Sequence, residues 1–200
     1  ENGKKAIFKP VSGESNIGRT DIPKKTQFKR EVAAYQLAKI IGLERYVPVT
    51  VLRTEKKYGI GSAMEFVEDE LLNVYEDKIK SADILNCAFF DAIIGNEDRH
   101  YKNFLVRKKD RSPVLIDHGL AFPNGNKPDN PRSVFIRHLI IENQRQEKIR
   151  PENVRSILYL QPKHKEKLQE MIADEPRIRK KLAPLLEPDA LDGLFWRMKK

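Results

Sequence analysis

GNEDRHYKN at residues 95–103 and LIDHG at residues 115–119 are the two stretches that decide the fold of this chain. Within them, Asn103 follows Asp98 by five positions, and Asp117 follows Asn103 by fourteen. Phosphoryl transfer from a metal–nucleotide uses polar groups in this order, because one Asp accepts the proton of the attacking hydroxyl while an Asn and a later Asp hold the metal ions. Taken singly, either stretch would also suit an ordinary loop.

The sequence between the two stretches predicts a β-hairpin. Residues 103–106 and 113–116 are short apolar runs, and residues 107–112 form a polar turn between them. Short apolar runs on either side of a polar turn are typical of paired antiparallel strands. The hairpin therefore separates the Asn from the second Asp, as the phosphoryl-transfer template requires.

Two more features lie upstream. Residues 6–9 form a short β-type run that ends in Lys9, and Pro10 stops the strand. Residues 26–41 predict a helix, because their apolar side chains cover one continuous arc at about 100° per residue. Glu31 falls near the middle of that arc. The arc consists of Phe28, Val32, Ala34, Tyr35, Ala38 and Ile41.

The inward position of Glu31 calls for a partner, because a carboxylate that faces a packed surface is costly unless it is paired or hydrogen-bonded. Lys9 is the candidate partner, since a kinase site fixes its phosphate-binding lysine with a Glu from a neighbouring helix. The alternative is that Glu31 reaches the edge of the arc and meets Arg30 or Lys39, which lie near its two margins.

These elements occur in the chain order of a kinase fold, and their motifs resemble a known group. The residues that carry the resemblance are FKP at 8–10, REVAAY at 30–35, GNEDRH at 95–100 and IDHGLAF at 116–122. They resemble the atypical kinases that carry Asp-Arg-His in place of His-Arg-Asp. That group comprises the bacterial phosphoinositide 3-/4-kinase-like proteins, the HipA-type Ser/Thr kinases and the Golgi casein kinase family. The resemblance covers about residues 5–125.

The resemblance implies a role for each matching residue. Lys9 would contact the phosphates of ATP, Glu31 would orient Lys9, and Asp98 would be the catalytic residue. Asn103 and Asp117 would hold Mg²⁺ or Mn²⁺.

Arg99 and His100 would support the loop rather than react. With four His and one Cys, the sequence has no zinc-like ligand spacing, so a metal-binding His100 is not expected.

The remaining parts of a nucleotide site are less marked. Residues 64–67 lie where a kinase hinge would offer backbone groups to adenine, with Met64 guarding the pocket and Phe66 beside it. Core packing explains Met64 and Phe66 equally well. The resemblance also implies nucleotide-covering strands ahead of Lys9, where this sequence has eight residues. No Gly-x-Gly-x-x-Gly occurs, and the nearest substitute is the polar segment 12–19, which is equally typical of a plain loop.

The predicted fold class is α+β, a compact two-lobed kinase-like fold in a single domain over residues 1–200. A small β-rich lobe would span about residues 1–70, and a helical lobe about residues 71–200. Two strands at 46–53 and 59–67 would complete the small lobe.

The helical lobe is predicted to begin after a linker at residues 68–70. Ser81 is the expected N-cap of a central helix that contains Cys87, whose apolar neighbours predict a buried thiol. Residues 124–132, rich in Pro, Asn and Gly, predict a loop where a substrate or activation loop would lie. From Ser133 onward the pattern is helical and punctuated by prolines.

Composition limits the partners. The 38 basic residues are interleaved with 29 acidic ones, which leaves a net charge of +9 without the aromatic interleaving that stacks bases. Nucleic acid is therefore not expected, while attraction to an anionic membrane surface stays open. No apolar run approaches the ~20 residues of a transmembrane helix. The single Cys permits no intrachain disulfide, and we expect a protein of the cytoplasm, or one delivered to a host cytoplasm.

Together these features predict an ATP-dependent kinase, and we expect its acceptor to be a Ser or Thr hydroxyl of a protein substrate. A phosphoinositide or another small alcohol is the alternative acceptor. A competing class is a pseudokinase that binds nucleotide or a partner without turnover. A third class, a basic nucleic-acid-binding domain, would show binding that falls steeply with salt.

Overall fold

A computed structural model describes residues 3, 5–15, 19–68, 70–71, 79–126, 132–147 and 161–199. Two three-stranded sheets and six α-helices make up this part of the chain. Four predicted features lie partly outside it: the lobe linker at 68–70, the loop at 124–132, the polar segment at 12–19 and the helical region from Ser133 onward, at residues 148–160.

The first sheet contains β1 (Ala6–Pro10), β2 (Thr50–Glu55) and β3 (Gly59–Glu65), all antiparallel and in the order β1-β3-β2. The predicted strand that ends at Lys9 and Pro10 is thus present at the edge of this sheet. Gly61 of β3 lies so close to β1 that a Cβ atom there would be 2.3 Å from the carbonyl oxygen of Lys9. Only glycine permits this approach, which sets the distance between the two strands.

The start of the second strand differs from the prediction of residues 46–53. Glu44–Tyr46 form a 3₁₀ turn, and the strand begins at Thr50. Pro48 has no N–H with which to join a ladder, and the Tyr46 hydroxyl is instead buried and donates to Asp83 at 2.5 Å. The return strand also ends two residues early, at Glu65.

Helix α1 (Gln27–Ile40) lies between this sheet and the C-terminal helices. The prediction of residues 26–41 is confirmed to within one residue at each end. One feature of the prediction is wrong: Arg30, expected at the margin of the buried arc, is fully buried. The reason is that α1 packs on both sides, against the sheet and against a later helix.

The second sheet contains β4 (Glu70–Leu71), β5 (Phe104–Arg107) and β6 (Pro113–Leu115) in the order β4-β5-β6. Strands β5 and β6 form the predicted hairpin, with Phe104 opposite Leu115. Each strand boundary falls within one residue of the prediction.

Helix α2 (Ser81–Ile94) runs through the apolar core. Ser81 is its first helical residue rather than its N-cap, which is Lys80. Cys87 is buried, as predicted, and burial raises the pKa of its thiol. The helix ends at Gly95, whose φ of 62° is a left-handed conformation that favours glycine.

Among the described residues after the second sheet are four further helices: α3 (Val134–Glu147), α4 (Pro162–Ala173), α5 (Glu175–Leu182) and α6 (Pro188–Lys199). Prolines stand in the first turns of α4, α5 and α6, where the missing N–H costs no helical hydrogen bond. Residues from all six helices share one apolar core. Across the described residues, none of the helices has the length and apolar character needed to cross a membrane.

Candidate active site

The predicted contact between Lys9 and Glu31 is present. Strand β1 and helix α1 bring Nζ of Lys9 to 2.5 Å from Oε1 of Glu31. The second carboxylate oxygen of Glu31 accepts a hydrogen bond from the backbone N–H of His118 at 2.9 Å. Both oxygens of this buried carboxylate are therefore hydrogen-bonded, and the alternative of a Glu31 that meets Arg30 or Lys39 is wrong.

Both members of this pair are charged. Burial alone would raise the pKa of Glu31, but the hydrogen bond from His118 and the charge of Lys9 outweigh burial and lower this pKa to about 2. Burial pulls the pKa of Lys9 down, while the charges of Glu31 and Asp117 raise it by more. The inner end of the site thus holds an ion pair of ammonium and carboxylate.

Asp117 lies on the other side of the Lys9 ammonium. Its Oδ1 is 3.1 Å from Nζ of Lys9, and its side chain is 53% exposed. The backbone of Asp117 has a φ of 59°, which non-glycine residues seldom adopt and which is found disproportionately at functional sites. The carboxylate is held at the surface of the site, where a ligand can reach it.

The segment with Asp98 follows the end of α2 directly. The side-chain oxygen of Asn96 accepts from the Asp98 N–H at 3.0 Å. The Asn103 amide nitrogen donates to the carbonyl oxygen of Asp98 at 2.8 Å and to its Oδ2 at 3.1 Å. Because the nitrogen of Asn103 makes these contacts, its amide oxygen is the atom that can face a cation.

Arg99 connects the two stretches on which the prediction was based. Its side chain is buried, and Nη1 donates to the carbonyl oxygens of Asn103 and of Ile116, the latter at 2.6 Å. The Ile116 N–H in turn donates to the carbonyl of Asn103 at 3.1 Å. The expectation that Arg99 supports the loop is confirmed, because its guanidinium binds both the backbone of Asn103 and that of Ile116, the residue before Asp117.

His100 also supports the loop, although its side chain is half exposed. Its side chain is 50% exposed, with Nε2 at 3.8 Å from Oδ1 of Asp98, and its Nδ1 accepts from the N–H of Lys102 at 3.2 Å. The backbone of His100 does contribute to the turn, because its N–H donates to the Asp98 carbonyl at 2.9 Å.

Asp91 is a site residue that the sequence analysis missed. It lies in α2 and is fully buried. Its carboxylate accepts from Arg99 at 3.1–3.2 Å, from Asn96 at 3.2 Å and from the Ser133 hydroxyl at 2.7 Å. The signal was available, because a carboxylate in the middle of an apolar helix must have strong partners.

His118 is a second missed residue. It is 2% exposed, lies behind Glu31 and packs its ring edge-on against Phe90, at 6.0 Å between centroids. Burial lowers the pKa of His118, although the hydrogen bond with Glu31 opposes that shift. The backbone N–H of His118 donates to Oε2 of Glu31, and ring Nδ1 lies 3.8 Å from the same oxygen.

The two hinge candidates, Met64 and Phe66, differ in burial. Met64 is buried in β3 opposite Ile7 and Thr50, as core packing predicts. Phe66 is 41% exposed, and its N–H is already used by the carbonyl of Lys5 at 3.0 Å. Met64 lies two positions along β3 from Ser62, which is paired with Lys9.

A pocket of about 300 Å³ opens beside the charged cluster. Lys9, Glu31 and Asp117 line it. The other lining residues are Phe8, Pro10, Gly13, Glu14, Ser15, Gln27 and Phe28. A larger hollow of about 530 Å³ lies on the other face of the first sheet and contains none of the predicted site residues.

The donor groups suit a hard divalent cation that brings its own ligands. Within the described ranges, no cluster of three or more His, Cys, Asp or Glu residues could hold a metal ion unaided. The Asp117 carboxylate and the Asn103 amide are oxygen donors, and Mg²⁺ is normally held by one or two carboxylates together with substrate phosphates. The residues present therefore fit a metal that arrives with a nucleotide.

Comparison with known proteins gives the family. A family model described as phosphatidylinositol 3- and 4-kinase matches residues 24–137, which is more than half of the chain. This chain belongs to that family. The match includes Glu31, Asp98, Asn103 and Asp117, and it confirms the resemblance to atypical kinases drawn from the motifs.

The fold is also similar to a solved structure, that of hydra Fam20 with sugar. The TM-score is 0.56 at 14% sequence identity, and the likeness covers 98% of this chain and 76% of that one. At this identity it shows the fold alone, and it confirms the α+β kinase-like architecture. A search of curated proteins gives no match.

Proposed function

We propose that this kinase-family protein transfers the γ-phosphoryl group of ATP, with Mg²⁺ or Mn²⁺, to a Ser or Thr hydroxyl of a protein. The observation that carries the proposal is the position of the Lys9 ammonium between Glu31 and Asp117. Arg99 connects this cluster to Asn103, whose amide contacts Asp98. These contacts support one site in which Lys9 is the cation for the phosphates, Asn103 and Asp117 are the oxygen donors for the metal, and Asp98 is the carboxylate for the acceptor.

The roles follow from chemistry and position. Lys9 would bind the phosphates, with Glu31 keeping its ammonium in place, since phosphoryl transfer depends chiefly on positioning and electrostatics. Asn103 and Asp117 would hold the metal, which when bound supplies positive charge against the phosphate oxygens. Asp98 would orient the acceptor hydroxyl and take its proton.

Adenine would lie toward the end of β3. Met64 would form the inner wall of its pocket, and Phe66 would lie at the mouth, where its ring is exposed. Because the Phe66 N–H is used by Lys5, we propose that neighbouring backbone groups contact the base.

A phosphoinositide or another small alcohol is the second candidate acceptor. The family match itself favours it, because the matching model is described as phosphatidylinositol 3- and 4-kinase. An anionic membrane surface would attract the net positive chain toward such a substrate. We also propose a single domain, with lobes at about residues 1–70 and 71–200, in a protein of the cytoplasm or one delivered to a host cytoplasm.

Radiolabelled ATP with Mg²⁺ or Mn²⁺ tests the proposal directly. The protein would be incubated with generic protein substrates, with phosphoinositide vesicles and with neither, and products would be identified by mass spectrometry. Label on Ser or Thr supports a protein acceptor, and label on the lipid headgroup supports a phosphoinositide acceptor. ATP binding without transfer to any acceptor would favour the pseudokinase, and steeply salt-dependent nucleic-acid binding without ATP binding would overturn the proposal.

A further inference from the structure

Arg30, next to Glu31 in α1, is an unusual buried cation. Its side chain has no exposed surface, and its Nη2 donates to Oε2 of Glu187 at 2.9 Å. Within the described residues, Nε and Nη1 of Arg30 are buried without a hydrogen-bond partner. The ion pair joins positions that are 157 residues apart in the chain.

Glu187 is held firmly at its own end. Its carbonyl oxygen accepts from the N–H groups of Ala190 and Leu191, both at 3.1 Å, in the first turn of α6. Its side chain is 30% exposed and reaches from there to α1. The pair therefore connects the helix that carries Glu31 with the C-terminal helices, against which α1 also packs through α5.

Burial of the Arg30 cation carries a free-energy cost. Burial lowers the pKa of Arg30, although the charge of Glu187 opposes that shift. Two buried donor groups without partners add a desolvation cost. Replacing a buried ion pair by apolar side chains of similar volume is often neutral or stabilising. A costly cation at this position therefore suggests a role in geometry.

Consecutive helical residues point about 100° apart, so Arg30 and Glu31 contact different parts of the molecule. Glu31 contacts Lys9 in the first sheet, and Arg30 contacts Glu187 before α6. Together the two contacts set both the rotation of α1 about its axis and its distance from the C-terminal helices. We infer that Arg30 and Glu187 are positioning residues, which hold α1 so that Glu31 keeps the Lys9 ammonium in the active site. This inference rests on the proposed function.

The test uses the full chain with Arg30→Met and Glu187→Gln together, so that no charge is left buried and unpaired. The matched control is Arg177→Met, which removes an exposed ion pair with Asp174 in the C-terminal helices. The measurements are kcat, the KM for ATP and the melting temperature of each variant. Each measurement is repeated in a Glu31→Gln background.

We expect kcat of the double variant to fall between about 10- and 100-fold, because small misplacements of reacting groups carry losses of that size. The melting temperature and the KM for ATP should stay close to those of the control. In the Glu31→Gln background the further loss should vanish, since Arg30 acts through Glu31. An unchanged kcat, or the same loss in both backgrounds, would overturn the inference, as would a loss that merely follows a fall in melting temperature.

Two safeguards keep the outcome decisive. If the double variant does not fold, Arg30→Lys replaces it, because it keeps a cation for Glu187 but loses the guanidinium geometry, and it should show a smaller loss with the same dependence on Glu31. If the wild-type protein transfers no phosphoryl group, the proposed function fails, and hydrogen exchange of the α1 amides decides the inference separately. Faster exchange over residues 27–40 than in the control supports it, and unchanged exchange contradicts it.

Discussion

The ammonium of Lys9 contacts two carboxylates, which differ in their exposure to water. Glu31 is 4% exposed, whereas Asp117 is 53% exposed. Exposed ion pairs contribute only ~0–1 kcal/mol, so the contact with Asp117 is easily exchanged for a metal ion. The contact with Glu31 is shielded and supported by the His118 N–H. Glu31 is therefore the partner that fixes Lys9.

The first prediction concerns this pair. Lys9→Met and Glu31→Gln should each lower kcat/KM for ATP, and the double variant should be only slightly worse than the more damaging single one. The reason is that either change removes the same interaction, with a coupling of about 0.5–3 kcal/mol expected for residues in contact. The measurement is a double-mutant cycle on kcat/KM, and strictly additive effects would show that the two side chains act separately.

The second prediction concerns Asp98. Asp98→Asn preserves the size of the side chain but cannot accept the acceptor's proton, so the rate of transfer should fall at least ~10²-fold. Nucleotide affinity and the circular dichroism spectrum should be unchanged. Asp192→Asn, which changes a 64% exposed carboxylate of α6, is the matched control. A folded Asp98→Asn protein with near wild-type activity would contradict the catalytic assignment.

At the scale of elements, local patterns predicted α1 and the β5–β6 hairpin to within one residue. They did not predict Arg30 as buried, because a periodic arc reveals one packed face and gives no sign that α5 covers a second. The strand predicted from Tyr46 failed for a related reason. Its apolar and β-branched residues fit a strand, but the tertiary contact of the Tyr46 hydroxyl with Asp83 selects a 3₁₀ turn.

The site residues also fall into those that the sequence predicted and those that it did not. The inward position of Glu31 in the apolar arc of α1 was sufficient to predict its contact with Lys9, whereas the contact between Lys9 and Asp117 was not predicted. Asp91 and His118 were missed, because their roles depend on partners that only the folded core supplies. A buried Asp in the apolar helix α2 could have been recognised as needing a cationic partner, since an unpaired carboxylate there would be costly.

The third prediction concerns the ion pair between Asp91 of α2 and Arg99, which connects α2 with the β5–β6 hairpin. Asp91→Ala leaves the buried Arg99 guanidinium without its carboxylate and should lower the free energy of unfolding by about 3–5 kcal/mol. Urea denaturation followed by circular dichroism measures the loss. The control Asp192→Ala removes an exposed partner of Arg179 and should cost no more than about 1 kcal/mol. Equal, small losses in both would show that Asp91 is not needed to hold Arg99.

At the scale of the whole molecule, a neutral histidine joins two helices of the core. His164 of α4 is 5% exposed, stacks on Phe89 at 4.6 Å between centroids and lies 2.9 Å from the side-chain oxygen of Asn86 in α2. Burial, with a smaller contribution from the charge of Lys163, lowers its pKa from 6.5 to about 4. Folding therefore requires this ring to stay neutral where the unfolded chain would already be protonated.

The fourth prediction is the resulting pH dependence. Because the folded pKa of His164 is the lower one, the unfolded state binds the proton first, and stability is lost as pH falls from 6.5 to about 4. His164→Gln can still donate to Asn86 but does not titrate, so its melting temperature should fall less steeply over that range. Part of the pH dependence should remain in the variant, because burial also lowers the pKa of His118. Identical slopes in wild type and variant, measured by calorimetry, would contradict the assignment.

The last prediction links the site to the stability of the entire chain. A ligand that binds only the folded protein stabilises it by about 2.7 kcal/mol when the ligand concentration is a hundredfold above its dissociation constant. For a chain of this size, each kcal/mol of stabilisation raises the melting temperature by roughly 2–4 °C. Mg-ATP or Mn-ATP should therefore raise the melting temperature, and EDTA should abolish most of the rise.

Asp117→Asn keeps a residue type that tolerates the left-handed backbone at this position but removes the charge that the metal needs. The variant should fold normally and lose most of the metal-dependent rise, whereas Asp192→Asn should keep it. If Asp117→Asn responds to Mg-ATP as the wild type does, the metal is held elsewhere and Asp117 serves only as the second partner of Lys9.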